Sequence, residues 1–164
     1  HKVAVFSRGR RLVDLPESVE MLTGDRNGNL AAIRERDWDA VIDIATFGPG
    51  WVRSLGVALK ARVAHYTFIS TVSVYDRPES RAQTDEDGPV LRYAGTVDPY
   101  AEINHVGEHY GALKALAEQE SAKQFPGRAL VLRPGYIGGP GDARALTYCA
   151  VRGARGDHLL AGSR

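Results

Sequence analysis

Residues 40–75 read AVIDIATFGPGWVRSLGVALKARVAHYTFISTVSVY, and this stretch decides the fold. It holds two brief apolar runs, Ala40–Ala45 and His65–Ser70, each too short for a helix and bounded by turn-forming or polar positions. Between them Trp51–Arg62 has the length of a helix. Strand, helix, strand in this order is the unit that joins parallel neighbours through a crossover. Working outward, the same reading gives strands at Lys2–Phe6, Val19–Leu22 and Ala129–Arg133. Helices are read at Asn29–Asp37, Glu102–Gln124 and Ala143–Arg155, with Pro126-Gly127 closing the longest. The strands are almost continuously apolar, which predicts burial on both faces. The expected architecture is α/β: an open, doubly wound parallel sheet whose ligands lie beyond the carboxyl ends of the strands. Asp76 to Pro99, mixed in Pro, Gly and charge, reads as a lid, a binding loop or a mobile excursion.

Composition narrows the class. The chain has 164 residues, 43% apolar and 25% charged, as expected of one soluble domain. A net charge of +1 gives no electrostatic ground for a nucleic-acid or membrane-surface partner. The single cysteine, Cys149, cannot form an internal disulfide, and no apolar run has the length of a signal peptide or membrane span. A cytoplasmic protein acting on a small molecule is the expectation. Of 21 basic residues only 4 are Lys, so a Lys at a motif position is informative.

One such Lys stands in YGALK, where Tyr110 and Lys114 are four residues apart within the longest expected helix and share one face. An ammonium about 4 Å from a phenolate contributes roughly 4 kcal/mol at an effective dielectric of about 20, which corresponds to a pKa reduction of about three units. That brings a phenol toward the range useful for proton transfer at neutral pH. With 7 Tyr and 4 Lys, chance supplies this spacing about 0.2 times; the bland reading is two surface side chains. A second feature agrees with the first: FISTVSVY, 68–75, ends a strand in Ser70 and Thr71, hydroxyls that can meet a substrate oxygen at the ligand-bearing edge. Such hydroxyls also commonly cap a turn.

With FSRGRR, LTGDRNG, VIDIATF, FISTVSVY, YGALK and ALVLRPGYIGGPGD in this order, the chain resembles the extended short-chain dehydrogenase/reductase superfamily of NAD(P)-dependent epimerases and dehydratases. The resemblance implies a Rossmann-like fold and hydride transfer on a carbonyl or hydroxyl substrate, such as a sugar nucleotide or small carbonyl compound. It makes Tyr110 the general acid/base, Lys114 its electrostatic partner and ribose holder, and Thr71, with Ser70 as neighbouring alternative, the hydroxyl that orients the substrate. It places Asp25 and Arg26 beside the adenine, Ala45 along the cofactor, and Pro134 to Ile137 near the nicotinamide. The strand end that selects the cofactor reads Ser7-Arg8, with Arg11 beyond, and arginine there accommodates a ribose 2′-phosphate. NADP is therefore expected over NAD, and the resemblance implies a homodimer.

The family also begins with a strand, a Gly-rich turn and a helix, and no such unit stands before His1. In the 3-2-1-4-5-6 strand order that first strand lies between those read at Lys2–Phe6 and Ala40–Ala45. The expectation is a partial NAD(P)-binding domain lacking its first βα unit, with the substrate-binding part largely absent. Val72-Ser73 occupy the place of the acidic pair that sugar-nucleotide dehydratases carry, which leaves epimerase or reductase chemistry. HVGEH, 105–109, fits an H-x-x-E-H zinc pattern, but the five His are otherwise scattered and the α/β order is wrong for a zinc hydrolase, so no metal is expected. The non-enzymatic alternative is a cofactor-sensing or RNA-binding member of the same superfamily.

Overall fold

The computed structural model describes residues 1–10, 14–44, 48–77, 88–101 and 107–137. Residues 1–134 and 135–164 form separate compact units, and every element below belongs to the first. Among the described residues, strands β1 (Val3–Ser7) and β2 (Val19–Thr23) make one parallel sheet, with Val3 opposite Val19. Strands β3 (Trp38–Asp43), β4 (Val63–Ile69) and β5 (Ala129–Leu132) make a second, in the order β3-β4-β5 and again wholly parallel. The coarse expectation of an α/β domain with parallel strands holds. In place of one continuous sheet there are two, divided between β1 and β3.

Helix α1 (Ala31–Arg34) connects β2 to β3, α2 (Pro49–Leu59) connects β3 to β4, and α3 (Tyr110–Gln124) leads into β5. Proline at the first position of α2 has its φ already set for a helix and no N–H to lose. Val52, Leu55, Gly56 and Leu59 then recur at helical spacing and are buried. Gly56 is needed there: a Cβ would lie 2.5 Å from Cβ of Gln124 on α3. Past the end of α3, buried Phe125 stacks on Tyr66 with ring centroids 4.1 Å apart. Gly127 then takes φ +70° in the turn to β5, as the Pro126-Gly127 pair predicts.

Two helices are shorter than their sequence patterns predict. Asn29 is drawn into a turn in which its N–H donates to the Asp25 carbonyl, so α1 starts only at Ala31 rather than Asn29. The long helix begins at Tyr110 rather than Glu102, after a 3-10 turn at Gly107–His109 whose Gly107 has φ +34°; residues 102–106 lie outside the described residues. The expected helix Ala143–Arg155 also lies outside them.

Alternation along the strands sorts side chains onto two faces. Phe6, Leu22, Val41, Tyr66, Phe68 and Val131 pack with α1, α2, Ala117 and Phe125 into one core. Full burial of side chains such as Phe68 contributes about 1.5–3 kcal/mol each. The opposite face corrects the expectation of burial on both sides: Val3, Met21, Ile42, Leu130 and Leu132 remain between 39% and 70% exposed. The apolar runs record strands, but the described helices cover only one face of them.

Candidate functional site

The carboxyl end of β4 gathers the side chains around which the sequence reading was built. Ser70 and Thr71 follow β4 directly, held by bonds from Ser70 N–H to the Leu132 carbonyl (2.7 Å) and from Val72 N–H to the Pro134 carbonyl (3.0 Å). Strand ends β4 and β5, with Pro134, are thus one surface. The Thr71 hydroxyl accepts from Ser73 N–H at 3.1 Å and caps the 3-10 turn Val72–Val74. Ser70 donates its hydroxyl proton to Glu118 on α3.

Lys114 projects from α3 to the same place. It is only 3% exposed, its Nζ donates to the Ile69 carbonyl at 2.6 Å, and the ammonium lies 4.3 Å from the ring centre of Phe68. Burial pushes its pKa down to about 8, against the upward pull of Asp43 and Glu118; nearby Arg26 adds to the lowering. Glu118, one turn after Lys114, accepts from Arg133 Nε (3.0 Å) and Nη2 (2.8 Å). That bond raises the Arg133 pKa above its ordinary value despite burial. Tyr110 opens α3, half-buried and one turn before Lys114. Its neighbour Gly111 abuts the Ser73 carbonyl so closely that any Cβ would collide with it. The absence of a side chain at 111 is what lets the start of α3 reach the turn that follows Thr71.

A second buried cluster lies at the end of β3. Arg26, just past β2, holds both carboxylate oxygens of Asp43 and donates to the Trp51 carbonyl at 3.2 Å. Asp43, 2% exposed, also accepts from the Tyr66 hydroxyl at 2.7 Å. Burial, followed by the charge of Asp43, drives the Tyr66 phenol far above its usual pKa. Burial works to lower the pKa of Arg26, but its bonds and attraction to Asp43 outweigh that and raise it.

Of the expected site residues, Thr71, Ser70, Lys114 and Pro134 therefore meet at one strand end, and Tyr110 stands on the helix that reaches it. Ser7 and Arg8 sit apart at the end of β1, where the Ser7 hydroxyl accepts from Gly9 N–H at 3.2 Å and Arg8 is exposed. Asp25 accepts from Asn27 N–H (2.9 Å), shaping a turn, and Arg26 turns inward to Asp43. Arg11 and Ala45 lie outside the described residues, and Ile137, 69% exposed, belongs to the second unit. His109 of the zinc-like pattern lies edge-on to Tyr93, centroids 5.3 Å apart, while His105 falls outside the described residues. Among the described residues no three His, Cys, Asp or Glu side chains gather to hold a metal, and no helix is long and apolar enough to cross a membrane.

Sequence reasoning missed Asp43, Tyr66, Glu118 and Arg133. Two signals were present: a carboxylate inside the apolar run VIDI, and an acid four residues after Lys114 on the same helix. Compared with protein families, curated proteins and solved structures, the chain matches none of them.

Proposed function

We propose that the chain is the nucleotide-binding part of an NADP-dependent oxidoreductase or epimerase of the extended short-chain dehydrogenase/reductase type, built on a doubly wound, Rossmann-like sheet. The observation that carries this reading is the approach of α3 to the end of β4. It brings Lys114 to the Ile69 carbonyl, Tyr110 one turn away, and Gly111 against the turn capped by Thr71. The residues present fit one half of the cofactor. A buried ammonium, a hydroxyl and the Pro134 backbone at one strand edge suit a ribose and nicotinamide. The diphosphate finds no glycine-rich cradle among the described residues.

When bound, the nicotinamide supplies a carbon that accepts or gives hydride. In the oxidative direction Tyr110 takes the proton from the substrate hydroxyl as the carbinol C–H hydride leaves, and in reduction it returns that proton to the carbonyl oxygen. Thr71 orients that oxygen, and the charge of Lys114 favours the phenolate. Arg8 at the end of β1 is the residue for a 2′-phosphate. Tyr110→Phe tests the assignment: NADPH affinity stays within about twofold while turnover on a panel of carbonyl compounds and sugar nucleotides falls by at least about 10³. Retained turnover removes Tyr110 from the mechanism.

A second reading rests on a different observation. Ser70, Thr71 and Lys114 each have a partner inside the protein, as a structural role requires. On that reading the chain is a non-catalytic member that senses NADP or binds RNA, and wild-type protein binds NADPH or RNA without turnover on the same panel.

A further inference from the structure

Residues 88–101 hold most of what the structure describes of the segment read as a lid, a binding loop or a mobile excursion, and they are fastened in two places. The first fastening lies beside the turn that follows Thr71. Asp76 N–H donates to the Pro89 carbonyl (2.9 Å) and Leu91 N–H to the Val74 carbonyl (2.7 Å), which sets Val90 antiparallel to Tyr75. Val90 packs with Val74, Tyr75 and Ala115 of α3. The Leu91 side chain reaches Gly111, where a Cβ would lie 2.8 Å from its Cδ1. The start of α3 is thus pinched between Leu91 and the Ser73 carbonyl.

Tyr100 is the second fastening. Asp98 accepts the Tyr100 N–H through its side chain (2.9 Å) and the Ala101 N–H through its carbonyl (3.1 Å), in a turn that presents the ring. The Tyr100 carbonyl abuts Gly50 in the first turn of α2 so closely that any Cβ would collide with it. The Arg53 guanidinium lies 3.6 Å from the ring centre, and the hydroxyl donates to Glu120 at 3.3 Å. Glu120 is 2% exposed and also accepts from Arg53 (3.1 Å) and Gln124 (2.8 Å). Burial disfavours its charge, but these bonds outweigh burial and hold its pKa below the usual carboxylate value. Tyr100 therefore docks on a charge-paired socket shared by α2 and α3. A helix flanking one sheet ordinarily leaves a face to solvent, yet from Gly111 to Ser121 Gln119 alone is exposed. The fastened segment supplies the missing cover.

We propose that residues 88–101 form a strap latched at Tyr100, and that the latch holds the start of α3 against the turn that follows Thr71. Tyr100 is thereby a positioning residue for Tyr110, acting through Leu91 and Gly111. The part that concerns Tyr110 rests on the oxidoreductase or epimerase reading; the strap itself does not.

The test is amide exchange, resolved by residue, in the full polypeptide. Tyr100→Ala is expected to speed exchange of Leu91 and of Lys114 and Ala115, the first bonded amides of α3, by about tenfold, with β3 and β4 unchanged. Tyr100→Phe keeps the ring beneath Arg53 and stays within about twofold of wild type. Gly50→Ala attacks the latch from the other side. Alanine favours a helix over glycine, so a role confined to α2 predicts slower exchange, whereas displacement of Tyr100 speeds the same three amides. Exchange of these amides that is unchanged in Tyr100→Ala, or slower in Gly50→Ala, overturns the strap, as does faster exchange spread equally over β3 and β4. Turnover on the carbonyl and sugar-nucleotide panel is expected to fall about tenfold in Tyr100→Ala at unchanged NADPH affinity and to recover in Tyr100→Phe. Full turnover in Tyr100→Ala overturns the positioning role; a wild-type chain without turnover defeats the functional reading, and the exchange pattern then decides the strap by itself.

Discussion

The end of β4 and the end of β1 were expected to hold opposite halves of one ligand, yet they are built differently. At β4, Lys114, Glu118, Ser70 and Arg133 are bonded to one another or to the strand-end backbone, and three of the four are less than a tenth exposed. At β1, Ser7 and Arg8 lead into an exposed turn, while the Arg26–Asp43 pair links the end of β2 to the end of β3. The difference teaches where order comes from. Helices α2 and α3 press onto one sheet and exclude water from its polar groups, whereas β1 has β2 as its one strand neighbour among the described residues. A group held by several buried partners is positioned before any ligand arrives; one on an open turn acquires its position from the ligand.

The largest expected effect breaks the link between the two regions. Arg26→Ala takes from the buried carboxylate of Asp43 the guanidinium that holds both its oxygens, at a cost of about 3–5 kcal/mol. Arg133→Ala leaves Glu118 with the Ser70 hydroxyl at a similar cost. The two variants differ in what loosens. Loss of Arg26 is expected to speed amide exchange in β1 and β2 while β3–β5 stay protected, and loss of Arg133 is expected to speed exchange at the ends of β4 and β5. Identical exchange patterns would mean that the regions are one cooperative unit.

A pH series sharpens the contrast. In the unfolded chain Lys114 keeps its proton to its ordinary value of 10.5, and in the fold it releases it near 8. Between those values the unfolded state binds more protons, so stability rises with pH through that window, and the cost of burying the ammonium is fully present below it. Lys114→Met carries no such cost. Its stability relative to wild type should be most favourable at pH 7 and less so by pH 10, by up to about 3 kcal/mol, read from urea midpoints. A difference that stays flat would put the ammonium in water.

Gly111→Ala is smaller still. A methyl at this position meets the Ser73 carbonyl, and the resulting displacement of α3 is expected to cost about 1–3 kcal/mol. Because it moves Tyr110 relative to Thr71, the proposed oxidoreductase or epimerase activity predicts a turnover that falls by more than the loss of folded protein accounts for. A variant with full activity per folded molecule would uncouple the helix from the site.

The same contrast explains what was legible in the sequence. Each strand was visible within two residues of its position because four to seven apolar-rich residues between turn signals leave few alternatives. Tyr110 and Lys114 were legible as a pair because helical spacing is local. Asp43 was not, since its meaning depends on Arg26, 17 residues away in sequence and on the other sheet. Glu118 looked like an ordinary helix-surface acid until Arg133 and Ser70 closed around it. The bare face was invisible for a related reason: an apolar run states that a strand can be buried, not which of its faces the remaining chain covers.

The smallest expected effect tests whether the open end of β1 selects the cofactor. Arg8 is exposed and follows Ser7, whose hydroxyl accepts the Gly9 N–H and so shapes the turn, with Gly9 at φ +66°. An arginine so placed keeps its solvation when free and gives up part of it only to a doubly charged phosphate, so the net gain is modest, about 1 kcal/mol. Arg8→Ala should therefore weaken NADPH about fivefold and leave NADH unchanged, with the difference shrinking as salt is added. Equal weakening of both cofactors would move Arg8 from selecting the phosphate to shaping the turn, and the choice between NADP and NAD would then rest on residues other than those at this strand end.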